Sequence, residues 1–189
     1  DVSRYYAPNL SFPVTAFLRP LPTQLQGEGR SNRLKAVLEL YDPLSTLDIV
    51  SDSVRVPLES DLTTPLAYFL SDPRLDSLAT AGLLRPEELL KVRPGQKRAP
   101  MGLYMVQPYE AGKIPVVLVH GLWSSPMTWM EMFNDLRSQP AIRARYQFWF
   151  YLYPTALPFW QSAALVRRDL RKVRHALDPH GIEPALDQM

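Results

Sequence analysis

The sequence predicts an α/β fold over residues 102–189, preceded by a small β-rich region with short helices. Three observations carry this. Residues 114–119 (IPVVLV) are a nearly continuous apolar run, as expected of a strand with both faces covered in a mostly parallel sheet. Residues 146–153 (YQFWFYLY) form a second such run, stopped by Pro154. A helical pattern follows each run, and successive βα units imply a parallel sheet with helices on its faces.

The bulk composition bounds the reading. A chain of 189 residues holds one full domain, or a small domain and part of another. With 46% hydrophobic and 21% charged residues it has the make-up of a globular protein. The 21 basic residues are nearly balanced by 19 acidic ones, so charge gives no ground for a nucleic-acid partner. The absence of cysteine removes disulfides, thiolate metal sites and a cysteine nucleophile. No run approaches the roughly 20 apolar residues of a transmembrane segment, and no signal-peptide pattern is present. The first residue is Asp1, so any targeting signal is expected upstream, and cytoplasm and cell envelope both stay open. Nineteen prolines against 8 glycines point to rigid connections.

From the N-terminus, near alternation predicts strands over 12–18 (FPVTAFL) and 34–41 (LKAVLELY). The second puts Leu34, Ala36, Leu38 and Leu40 on one face and Lys35, Val37, Glu39 and Tyr41 on the other. The polar QLQGEGRSNR between them reads as a loop or wide hairpin. Residues 49–50 and 54–57 read as two short strands around Ser51-Asp52-Ser53. Thr63-Thr64-Pro65 looks like a helix start, with a capping threonine and Pro65 at the first helical position of a helix over 66–70. A second short helix is expected over 74–81, ending at Gly82, and a helical turn over 85–90. The basic, proline- and glycine-rich VRPGQKRAP marks a linker. The predicted organisation is therefore an N-terminal region 1–92, a linker 93–101 and an α/β part 102–189.

Within that part, 102–107 is a strand, 108–113 a turn and 114–119 a strand. Residues 126–138 are a helix with Trp129, Phe133 and Leu136 on one face, Ser125 as N-cap and Pro126 at its first position. The 146–153 strand leads to an amphipathic helix over 159–177. Its apolar residues Phe159, Ala163, Val166, Leu170, Val173 and Leu177 recur in steps of four and three. Arg167, Arg168, Arg171, Lys172 and Arg174 make the other side basic, a face for solvent or for an anionic partner. Asp178-Pro179-His180-Gly181 ends the helix, and 185–189 (ALDQM) reads as the lead-in to another strand.

His120-Gly121-Leu122 leaves the carboxyl end of a strand, where ligands bind in open α/β sheets. A glycine there allows a sharp turn and close approach of a substrate. The segments KIPVVLVHGLWSSPMTW and YQFWFYLYPT, the long helix and LDPHGIEPALDQM together resemble the front half of an α/β-hydrolase domain. More narrowly, the chain is similar to bacterial lipase/esterase-like serine hydrolases with an extra N-terminal region, to which PLESDLTTPLAYFL is also similar. The resemblance implies an incomplete α/β-hydrolase sheet. It also implies cleavage of a small-molecule or lipid ester through an acyl-enzyme, with no cofactor and no metal. In that family a backbone N–H of this loop, here that of Leu122, donates to the oxyanion of the tetrahedral intermediate. Gly121 and His120 would shape the loop and Trp123 would line the acyl or alcohol side of the pocket.

The family nucleophile is the serine of a G-x-S-x-G elbow after the next strand, followed by the acid and the base of the triad. The glycines here are Gly27, Gly29, Gly82, Gly95, Gly102, Gly112, Gly121 and Gly181. No two are four apart, so the motif cannot occur in these residues. The resemblance therefore implies a truncated chain, with nucleophile, acid and base beyond Met189 and no activity of its own. Ser124 and Ser125 sit where a helix start wants a cap. His120 is a turn residue, and His175 and His180 lie in the long helix and its terminal turn. The histidine spacing carries no metal signature. Trp149, Phe150, Tyr151 and Tyr153 read as core, with residues near Pro154 placed to touch substrate. Two other readings stay open: a non-catalytic interaction module on the same scaffold, and acyl transfer or thioester cleavage on the same fold.

Overall fold

The computed structural model describes residues 3–6, 11–21, 35–70, 80–92 and 99–189. They divide into two compact units, 12–65 on the one hand and 1–11 with 66–189 on the other. In the first unit β1 (Thr15–Pro20) pairs antiparallel with β2 (Ala36–Tyr41), placing Leu18 opposite Leu38 and Ala16 opposite Leu40. On the other face the Arg19 guanidinium grips Glu39 with two bonds, Nε to Oε1 at 2.8 Å and Nη2 to Oε2 at 3.0 Å. The connection between these strands lies outside the described residues. β3 (Asp48–Ser51) and β4 (Val54–Pro57) form a hairpin. Its two turn residues, Asp52 (φ 49°) and Ser53 (φ 64°), are both left-handed, which matches the twist of the flanking strands.

Helix α1 (Thr63–Leu70) begins earlier than the sequence suggests, and a side chain ahead of it caps its first N–H groups. The Asp61 carboxylate does so, accepting from the Thr63 and Thr64 N–H groups at 2.9 Å each. A carboxylate suits this end because it meets the unpaired donors and the positive pole of the helix together. The expected helix over 74–81 lies almost wholly outside the described residues. Residues 80–84 are helical, so Gly82 falls inside this segment and does not end it. α2 (Pro86–Leu90) follows, and its Leu89 packs with Ala81 against Leu152. Tyr5 is buried with Leu103, Met105 and Trp149. The first residues and 66–92 thus belong to the unit that contains 102–189, and the division falls at 65/66. Residues 93–98 of the expected linker lie outside the described residues.

Among the described residues the sheet of this unit has three strands, β5 (Gly102–Met105), β6 (Ile114–Val119) and β7 (Tyr146–Leu152), in the order β5-β7-β6. β6 and β7 are parallel, joined by a crossover of a 3-10 turn (Pro126–Trp129), α3 (Met130–Ser138) and α4 (Pro140–Arg145). β5 is antiparallel to β7, so the sheet is mixed where a mostly parallel one was expected. β7, in the middle, is the strand covered on both faces. β6 is only half-buried, with Val119 41% exposed, because it has a neighbour on one side alone among the described strands.

Side chains of β7 alternate between two layers. Phe148 and Phe150 meet Phe133 of α3 edge-on, at 5.7 and 5.3 Å between ring centres. Trp149 and Tyr151 point to the opposite layer, where α5 (Phe159–Leu177) contributes Val166, Leu170, Val173 and Leu177. α5 has the bounds its spacing predicts. Asp178 then closes it, its carboxylate accepting from the Ile182 and Glu183 N–H groups, while Gly181 turns at φ 68°. The final stretch is not itself extended. Pro184–Gln188 is a 3-10 turn, capped by the Glu183 carboxylate on the Ala185 N–H and packed against β6. Burial of Ala185 and Leu186 favours this compact turn over an extended segment. No helix among the described residues is long and apolar enough to cross a membrane.

Gln147 is the polar exception in β7, fully buried. Its Nε2 donates to Glu110 O (2.9 Å) and Lys113 O (2.8 Å), and its Oε1 accepts from Glu110 N (3.2 Å), which pins the 108–113 turn to the sheet. Gln147→Leu removes the three hydrogen bonds that hold the 108–113 turn to the sheet and is expected to cost about 1–3 kcal/mol in urea unfolding.

Candidate functional site

Because β6 and β7 run parallel, with Val119 in register with Tyr151, their carboxyl ends emerge side by side. The next residues, His120 and Tyr153, hold each other in both directions. The Tyr153 N–H donates to His120 Nε2 at 3.3 Å, and the Tyr153 hydroxyl donates to the His120 carbonyl at 3.0 Å. The two rings stack with centres 4.6 Å apart. His120 Nδ1 lies 3.1 Å from the Gly121 carbonyl. With Nε2 accepting, the network assigns the ring proton to Nδ1, which donates to that carbonyl. Burial pushes the pKa of His120 below its ordinary value, opposed by the Gly121 contact. His120 is therefore a neutral brace with both nitrogens engaged.

The loop turns at a different residue from the one the sequence suggests. Gly121 is not left-handed; Trp123 is, at φ 51°. For a non-glycine residue this conformation costs roughly 1–2 kcal/mol. At Gly121 a Cβ would meet nothing within 4 Å, which leaves the space over the backbone open. The Leu122 N–H has no hydrogen-bond partner among the described residues. Ser125 is the expected cap: buried, it accepts from the Met127 N–H at 3.4 Å. Ser124 donates to the Ser125 carbonyl at 3.4 Å.

A cleft of about 360 Å³ opens beside this loop, walled by Val119, Leu122, Leu157, Phe159 and Val166. Tyr153 and Thr155 supply its β7 side and Ser162 its α5 side. None of its lining residues carries a charge. Thr155 and Ser162 are more than nine-tenths buried, and neither hydroxyl has a hydrogen-bond partner among the described residues. The β7 exit is held in place by Gly82, whose carbonyl accepts from the Ala156 N–H at 3.1 Å. A Cβ at 82 would lie 3.3 Å from the Leu89 Cδ1 methyl and at ordinary contact distance, 3.5 Å, from the Tyr153 carbonyl, so Gly82 packs closely on the β7 exit. Leu122 faces the cleft, whereas Trp123 stands 65% exposed and is not among the lining residues. Phe159 (80% exposed) and Trp160 (60%) stack edge-to-face at the cleft mouth, where α5 begins with no side-chain cap.

The structure thus brings His120, Gly121 and Leu122 to the carboxyl end of the sheet and adds Tyr153, Thr155, Phe159 and Ser162. Of these, only the neighbourhood of Pro154 was signalled by sequence. His175 and His180 are exposed, and neither lines the cleft. Among the described residues no group of three or more His, Asp or Glu side chains could hold a metal ion. Comparison with protein-family models, with curated proteins and with solved structures returned no match.

Two outcomes follow from the brace. In the unfolded chain His120 takes up a proton near pH 6.5, and in the folded protein only at lower pH. Between those values the unfolded state binds more protons, so stability is full above about pH 6.5 and declines as pH falls below it. Urea unfolding at stepped pH should show this slope, and His120→Asn should lose the part due to this residue. Removing the hydroxyl in Tyr153→Phe should cost about 1 kcal/mol.

Proposed function

We propose that residues 102–189 are the oxyanion-loop half of a serine hydrolase of the α/β-hydrolase kind, acting on neutral carboxylic esters with an apolar acyl group. The observation that carries this reading is the Leu122 N–H, without a hydrogen-bond partner among the described residues, on a braced loop at the carboxyl end of parallel strands and beside an uncharged cleft. A preorganised donor of this type stabilises charge that develops only in the transition state, because its orientation is fixed before reaction. The open space over Gly121 would let the ester carbonyl reach that donor. The uncharged lining favours a neutral ester over a carboxylate, since burying an unpaired anion is costly.

No G-x-S-x-G can be written with these glycines, so this reading places the nucleophile, the acid and the base outside residues 1–189. The serine oxygen would attack the carbonyl carbon, and the oxyanion would be shared between the Leu122 N–H and the N–H of the residue after the nucleophile. Collapse would expel the alcohol and leave an acyl-enzyme for water to hydrolyse.

The coding sequence past codon 189 should specify a short apolar strand and a G-x-S-x-G within about a dozen codons. A fluorophosphonate probe on the full-length protein should label that serine, while the isolated 189 residues take no label. Leu122→Pro, which deletes the donor, should lower kcat about 10²- to 10³-fold. A stop codon directly after 189, or ester hydrolysis by the 189 residues alone, would sink the reading.

A further inference from the structure

α5 carries more positive charge on its outer side than its surroundings balance. Arg167, Arg168, Arg171, Lys172 and Arg174 are exposed, and Asp169 is the single acidic residue of the helix. That acid is already engaged, by Arg168 at 2.9 Å, by Lys172 at 4.0 Å and by the Tyr151 hydroxyl at 2.9 Å. Arg174 pairs with Asp187. Arg167 and Arg171 have no acidic partner among the described residues.

At 100° per residue, Trp160, Arg167, Arg171 and Arg174 fall in one narrow stripe of α5, with the small Ala164 between. The stripe begins with an exposed tryptophan, and Phe159 beside it is exposed as well. Leu122 (74%) and Trp123 (65%) add two more exposed apolar side chains at the same end of the sheet. Phe159 and Leu122 both line the cleft, so two of these exposed side chains border it. Exposed aromatics next to a row of arginines match what an anionic bilayer surface offers. Phosphates take the guanidinium groups, and the interfacial layer takes rings that water disfavours.

We infer that the outward stripe of α5 together with its exposed N-terminal aromatics is a docking surface for an anionic lipid bilayer. The bound orientation turns the cleft mouth towards the membrane. The surface is independent of whether the cleft hydrolyses anything. A compact polyanion would use the arginines but leave Phe159, Trp160, Leu122 and Trp123 in water, which is why the lipid surface fits better.

The test is sedimentation of the full-length protein with vesicles of phosphatidylcholine, with and without 30% phosphatidylglycerol. Binding is expected to be much stronger to the anionic vesicles and to weaken as salt rises. Arg167→Ala/Arg171→Ala should bind about 25-fold more weakly, at about fivefold per arginine. Trp160→Ala should lose the binding that persists at high salt. Both sets of side chains are exposed, and circular dichroism should report an unchanged fold. The inference is overturned by equal binding to both vesicle types, by unchanged binding of the arginine variant, or by retention on DNA or heparin with none on vesicles. Loss of phosphonate labelling with intact vesicle binding would remove the hydrolase reading and leave this one standing.

Discussion

Seven residues of β7, Tyr146–Leu152, have to bury both faces at once, and the larger unit is built around that requirement. Phe148 and Phe150 need an apolar layer on one side, and Trp149 and Tyr151 need one on the other. α3 and α5 are those layers. Neither helix could persist on its apolar face without the sheet, since short helices in water gain most of their stability from tertiary packing. The same requirement explains why Gln147 spends all of its hydrogen-bonding capacity on the 108–113 turn. A central strand tolerates a polar side chain only when each of its polar atoms has a partner.

The placement of β7 beside β6 then fixes the site. Two parallel strands end at one edge, and the first residue past β6 meets the residue just past β7. A histidine and a tyrosine can trade a backbone N–H, a hydroxyl and a ring face in that small space, with little freedom left over. Three residues on, Trp123 takes the left-handed turn of the loop that this brace anchors. The loop is thus presented to the cleft in one conformation, as preorganised hydrogen-bond donation demands.

The cleft, the aromatic group and the arginine stripe lie in sequence along one path. The aromatics sit at the start of α5, the arginines along its length, and the cleft between that start and the β6 exit. An apolar, uncharged cleft whose rim is aromatic is suited to a substrate that partitions from a lipid phase. The rim's exposure in water has an energetic cost that a lipid surface would relieve.

The sequence by itself determined the elements whose information is local. The four-and-three spacing of α5 gave its bounds, the two apolar runs gave β6 and β7, and Ser125-Pro126 marked a helix start, because period and capping are written in adjacent residues. It also ruled out a G-x-S-x-G within the chain, by glycine count alone. It could not say that β5 runs antiparallel, that β6 lies at the edge of the described strands, or that 185–189 folds into a turn against β6. Strand order and burial depend on partners distant in sequence. Nor could it say which residue of the loop after β6 is left-handed. A glycine permits that backbone without requiring it, and here Trp123 adopts it while Gly121 does not. What only the tertiary structure decided is therefore the site itself, since the loop, the β7 exit and the start of α5 become one cleft only through the parallel pairing of β6 and β7.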